Sequence, residues 1–288
     1  MSPPNRKPAL VLVATPIGNL GDLAPRAVDE LRTADVIAAE DTRRARALCS
    51  AVGIAAAGRL RSVHGHNERT EASRLVRAVQ DGARVVYVSD AGTPGIADPG
   101  EQLVRACVVA GCAVEVVPGP SALLGALVLS GLPTSRFHFE GFLPRKGSGR
   151  AERLEAIAAS DATVVLFESP HRIGATLADL CTACGPDRSA AVVRELTKVF
   201  EQVVRGPLGS LVDTAVPDAG ARGEHVVVVG PAPAAAPVAD DAIDVAARAA
   251  LAEGASARDA ASAVARDLGV AKRRAYDAVL RVRSATRD

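Results

Sequence analysis

The chain has 288 residues, a length that suits two domains or one large domain with an appendage. Nearly half of it is hydrophobic but only 2% is aromatic, so the core must be built of Ala, Val and Leu. A formal net charge of +1 excludes global electrostatic attraction to nucleic acid, and any RNA site must be a local patch.

From the N-terminus, "ALVLVAT" (9–15) is a continuous apolar run bounded by proline and reads as a buried strand. It runs into "TPIGNLGD" (15–22), which lacks the G-x-G-x-x-G spacing of a Rossmann dinucleotide loop. "APRAVDELRTAD" has helical spacing, "VIAAED" is a short strand ending in acids, and "TRRARALCSAV" is a helix for which Thr42 is the expected N-cap. Glu40 and Asp41 read either as a polar cleft wall or as charge complementing a helix dipole. "HGHNE" gathers His64, His66, Asn67 and Glu68, which could ligate a metal, supply a general base or clamp a nucleotide. No third fixed metal ligand stands out, and no metal is expected.

"TEASRLVRAVQDG" is a helix stopped by Gly82. "ARVVYVSD" is a buried strand expected to end at Asp90, followed by the loop "AGTPGIADPG". That loop has no Lys or Arg, so it suits a ligand with hydroxyls, an amine or a positive charge better than a triphosphate. The helix "GEQLVRACVVAG" and strand "CAVEVVPG" complete an alternation that argues for a mostly parallel α/β sheet over 1–120. Ser121 is placed to cap a helix ending at Gly131. Residues 121–230 then read as a second α/β domain, whose late strands cluster without helices and so form antiparallel pairs.

In this half, "PRKGSGR" (144–150) has the chemistry of a phosphate contact, and "FESPHR" (167–172) and "RELTKVFE" (194–201) place charges at strand ends, suggesting one shared cleft. Cys181 and Cys184 form a C-x-x-C without a second ligand pair, so they read as small buried hydrophobes. Residues 231–239 are a Pro/Ala linker and 240–288 a helical extension. From Ala271 that extension carries six basic and two acidic residues, either an RNA-facing patch or a solvated helix face. The start lacks a proper signal-peptide core and no apolar run spans a membrane, which leads us to expect a cytoplasmic protein.

"VATPIGNLGDL", "AAEDTRR", "HGHNE", "VSDAGTPGIADPG", "PGPSA", "FEGFLPRK", "FESPHR" and "RELTKVFE", in this order, resemble the 16S rRNA cytidine 2′-O-methyltransferases of the tetrapyrrole methylase superfamily. The resemblance spans roughly Leu10 to Gly230 and extends more loosely to the tail. It implies a two-domain methylase with a mostly parallel N-terminal sheet, a mixed C-terminal sheet and S-adenosylmethionine folded up in the cleft between them. It also implies a homodimer acting on 16S rRNA, in our reading on the assembled small subunit. By the same resemblance the cofactor contacts map to Ile17, Asp90, Ile96, Ser121, Ala122, Phe167 and Glu224. Candidates for proton acceptor or hydroxyl orienter are His64, Glu68 and Glu168. Candidates for RNA phosphate contacts are Arg43, Lys146, Arg172, Arg194, Lys198, Lys272, Arg273 and Arg274. Two alternatives stand beside this reading: a corrinoid or porphyrinoid methylase of the same superfamily, and a non-catalytic RNA-binding protein. The first would tend to carry G-x-G-P-G-D where this chain has "TPIGNLGD".

Overall fold

The computed structural model describes residues 7–65, 67–214, 223–233 and 238–285. His66, part of the 231–239 linker and the end of the basic tail lie outside the described residues. The chain forms two compact units, Met1–Ala232 and Pro233–Asp288.

The first unit holds two five-stranded sheets. Strands β1 (Ala9–Val13), β2 (Val36–Ala39), β3 (Leu60–Ser62), β4 (Arg84–Val88) and β5 (Val114–Val117) are all parallel, in the order β3-β2-β4-β1-β5. Helices α1 (Pro25–Thr33) and α2 (Thr42–Ala51) pack on one face, and α3 (Glu68–Gln80) and α4 (Glu101–Val109) on the other. Burial on both faces explains why β1 and β4 read as unbroken apolar runs. β4 stops at Val88, two residues before the expected end. Asp41, not Thr42, caps α2: its carboxylate accepts from the Arg43 N–H at 2.8 Å.

The second sheet runs β6-β7-β10-β8-β9, from β6 (Phe137–Phe142), β7 (Thr163–Glu168), β8 (Ser189–Arg194), β9 (Gln202–Pro207) and β10 (His225–Val229). β6 and β7 are parallel and the other pairs antiparallel, so this sheet is mixed. Helix α5 (Ala122–Ser130) covers one face, while α6 (Ser148–Ala159), α7 (Ile173–Cys184) and α8 (Leu208–Thr214) cover the other. Ser121 caps α5 by accepting from the Leu124 N–H, and Gly131 ends it in the left-handed conformation at φ 72°.

The second unit contains α9 (Asp240–Ala252), α10 (Ala257–Asp267) and α11 (Lys272–Ala285) around its own core of Ile243, Val264, Val279 and small alanines. Ser256 caps α10, its hydroxyl accepting from the Asp259 N–H. Among the described residues no helix is long and apolar enough to cross a membrane.

Candidate functional site

Ligands of open α/β sheets sit beyond the carboxyl ends of the strands, and here a cavity of about 370 Å³ opens there. Three connections of the first sheet build one side of it. The loop after β1 brings Ile17, the turn into α2 brings Glu40 and Arg44, and the loop after β4 brings 90–93 and 96–98. Thr15 and Gly92 exchange two backbone hydrogen bonds (2.9 and 3.0 Å), which lock the first and third of these together. Gly92 sits at φ 75°, and a Cβ there would meet Ile17 at 3.4 Å. The second half supplies Ser121–Leu123 at the start of α5, Phe142, 167–170 after β7, and 224–226 at the start of β10.

All seven residues expected around a cofactor, Ile17, Asp90, Ile96, Ser121, Ala122, Phe167 and Glu224, line this one cavity. Glu40 and Asp98 join Asp90 there. Burial and the neighbouring Asp90 raise the Glu40 pKa, and burial with Glu40 pushes Asp98 up to about 6. Glu40 Oε2 is buried without a hydrogen-bond partner among the described residues. The cavity therefore concentrates negative charge with a deficit of donors, the converse of a phosphate site. Its cation, Arg44, reaches Asp90 at 3.5 Å while keeping 65% of its side chain exposed. Phe167, edge-on to Phe139 and Phe142, gives the second half an aromatic wall.

The three proposed proton acceptors do not converge on this cavity. Glu68 is buried at the start of α3, and its Oε1 accepts from the backbone N–H groups of Gly100, Gln102 and Leu103 at 2.9, 2.9 and 3.2 Å. It anchors the start of α4 and does not line the cavity. His64 does not line the cavity; its backbone N–H donates to Asn67 Oδ1 at 2.8 Å. Glu168 does line it, but both oxygens are engaged. Oε1 accepts from the Ser169 N–H (2.7 Å), and Oε2 accepts from Thr176 Oγ1 (2.7 Å) and pairs with Arg172 (3.3 Å).

The basic candidates divide in the same way. Arg172 donates to the Leu143 carbonyl at 2.7 Å and so ties the loop after β6 to Glu168. Lys198 bridges Glu195 (2.7 Å) and Glu224 (3.7 Å). Arg194 lies across from His225 in the β8–β10 register, and Arg274 is held by Asp240 and the Val238 carbonyl. These four, candidates for RNA phosphate contacts, have partners within the chain. Arg43, Lys146, Lys272 and Arg273 are exposed, with Arg43 paired to Asp41 at 2.7 Å. Arg44 and Asp98 were not singled out in the sequence. "TRR" does not say which arginine turns inward, and the loop does not say which carboxylate is desolvated. All five cysteines are free, and among the described residues no His/Cys/Asp/Glu cluster could hold a metal.

The model of the tetrapyrrole (corrin/porphyrin) methylases matches residues 9–212. A ribosomal RNA small subunit methyltransferase I of Mycobacterium bovis is 47% identical over 96% of both chains. The protein of the same name from Xylella fastidiosa is 50% identical over 76% of this chain and 80% of its own. The structure of uroporphyrin-III C-methyltransferase from Thermus thermophilus, complexed with S-adenosyl homocysteine, superposes with a TM-score of 0.52 at 22% identity. That superposition covers 77% of this chain and 96% of the other and shows a shared fold. The chain belongs to the tetrapyrrole methylases and, within that fold, to the ribosomal RNA small subunit methyltransferase I family.

Proposed function

We propose that the chain methylates the ribose 2′-hydroxyl of a cytidine in 16S rRNA, using S-adenosylmethionine bound in the acidic cavity. The observation that carries this is the cavity itself, where Glu40, Asp90 and Asp98 gather and one carboxylate oxygen lies buried without a donor. Those residues fit a cation. When bound, the cofactor supplies an electrophilic methyl group on a positively charged sulfonium. The carboxylates stabilise that charge, and the apolar wall of Ile96, Ala122, Leu123 and Phe167 excludes water around it. Glu168 acts as a positioning residue, since its two oxygens hold Ser169 and Thr176 and its Arg172 partner holds the neighbouring loop.

Alignment of two bound reactants contributes roughly 7–11 kcal/mol to such a transfer. A general base adds about 10²–10⁴-fold, or some 3–5 kcal/mol, so positioning dominates. The names of the close relatives supply the RNA class of substrate. Two Tyr and five Phe in the whole chain favour recognition through RNA shape and phosphates over base stacking, consistent with an assembled subunit as substrate. The same reading makes the enzyme a cytoplasmic homodimer. Leu124 and Val128 on α5, and Val199 and Phe200 after β8, are exposed apolar side chains that a second copy would cover.

The test is methyl transfer from labelled S-adenosylmethionine to small subunits lacking the modification, beside free RNA and a porphyrinoid acceptor. Label is expected in the RNA of the subunits. Label in the porphyrinoid alone would refute the RNA assignment and favour a small-molecule methylase.

A further inference from the structure

A second cavity, of about 230 Å³, lies between the loop after β1 and helix α2. It shares two residues with the acidic cavity, Arg44 and Asp90. Its character differs. Pro16, Leu20 and Leu48 give it apolar walls, and Arg44 is its cation.

We propose that this cavity seats the acceptor nucleotide of the RNA, with the sugar against Asp90, the phosphate on Arg44 and the base against Pro16, Leu20 and Leu48. The inference rests on the methyltransferase reading and assigns the place of its second substrate. Transfer between two bound molecules requires their reacting atoms to lie about 3–3.5 Å apart, so the two sites must adjoin. These cavities meet at Asp90, on the cofactor side lined by carboxylates and on the other by a guanidinium and apolar side chains.

Arg44 is suited to an exchange of partners. Its contact with Asp90 Oδ2 is a loose 3.5 Å, and its side chain is 65% exposed. Arg43, by contrast, is committed to Asp41 through a two-pronged pair, with Nη2 at 2.7 Å and Nε at 3.1 Å. Asp90 Oδ1 is fixed by the Asp41 N–H at 3.1 Å. When Arg44 turns to a phosphate, Oδ2 is released to accept from the ribose hydroxyl while Oδ1 keeps the carboxylate oriented.

The experiment compares wild type with Leu20→Trp and Arg44→Gln in the full chain. Leu20 is 45% exposed on a short 3-10 turn (Leu20–Asp22), so a larger side chain there fills the cavity without entering the core. Binding of the S-adenosylhomocysteine-loaded enzyme to unmethylated small subunits is measured over a range of KCl, and S-adenosylhomocysteine affinity separately by calorimetry. Leu20→Trp is expected to weaken subunit binding by about tenfold, with cofactor-product affinity unchanged. Arg44→Gln is expected to weaken it and to reduce the slope of log K against log[salt] by about one. Wild-type affinity and slope in both variants would overturn the assignment while leaving the RNA reading intact. If wild type itself neither binds nor methylates the subunits, the RNA reading fails first and takes this inference with it.

Discussion

Asp98 lines the acidic cavity with Glu40 and Asp90, and folding raises its pKa to about 6. A carboxyl raised on folding contributes stability below its unfolded pKa and loses that contribution as pH rises through the folded value. A bound cation favours the ionised form instead. Affinity for S-adenosylmethionine should therefore rise by about tenfold between pH 5 and 7.5, while the neutral product S-adenosylhomocysteine shows a flatter profile. Calorimetric titration of both ligands at the two pH values checks this, and Asp98→Asn should remove the difference. The absence of Lys and Arg from "AGTPGIADPG" already favoured a ligand with hydroxyls, an amine or a positive charge over a triphosphate. The identity of the perturbed acid was not legible, because desolvation depends on what packs around it. Glu68 shows the reverse case: in sequence it is a polar residue beside histidines, in the fold a buried anchor for three N–H groups. Glu68→Ala should cost roughly 2–3 kcal/mol of stability in urea unfolding, since it strands buried donors at the start of α4. Full stability with lost activity would return Glu68 to the chemistry.

At the scale of elements, the apolar runs were legible because buried parallel strands need nothing else. β3 escaped because "LRS" has a single apolar residue and forms a sheet edge, where pairing with β2 alone defines it. The charged strand ends were read as one cleft, but of those motifs only "FESPHR" lines the cavity, through Phe167–Pro170. Spacing could not reveal that Arg172 and Lys198 spend their charge on internal carboxylates and carbonyls. Arg172→Ala should therefore loosen the wall at 168–172 and weaken S-adenosylhomocysteine binding severalfold, with the salt slope of RNA binding unchanged. Calorimetry and a salt titration separate this from a phosphate contact, whose loss would lower the slope by about one. Gly100 makes a similar point about the loop after β4. Its φ of 134° disfavours side chains, and an added Cβ would come within 2.9 Å of Tyr87 and 3.2 Å of the Gly95 backbone. Gly100→Ala should destabilise by at least about 1–3 kcal/mol, read as a lower melting temperature.

Across the whole molecule the net charge is only +1, so any electrostatic contrast is local. Acids line the cavity, while Arg43, Arg46, Lys146, Lys272 and Arg273 stand exposed. The two compact units divide after Ala232, and the tail's helices carry their own core. Whether that tail serves RNA was not legible, because a basic helix face and a solvated one share a composition; Arg274 proves to be tied to Asp240 within the unit. Deleting 233–288 should leave S-adenosylhomocysteine affinity unchanged and reduce methylation of small subunits. Undiminished methylation after the deletion would remove the tail from the RNA site.

The central claim is tested most directly by identifying the methylated nucleoside. Small subunits lacking the modification would be incubated with the full chain and S-adenosylmethionine, and their RNA digested to nucleosides for mass spectrometry. The account predicts 2′-O-methylcytidine, with the added mass on the ribose fragment. A methyl on the base, or no gain in the RNA while the enzyme still binds cofactor, would contradict it.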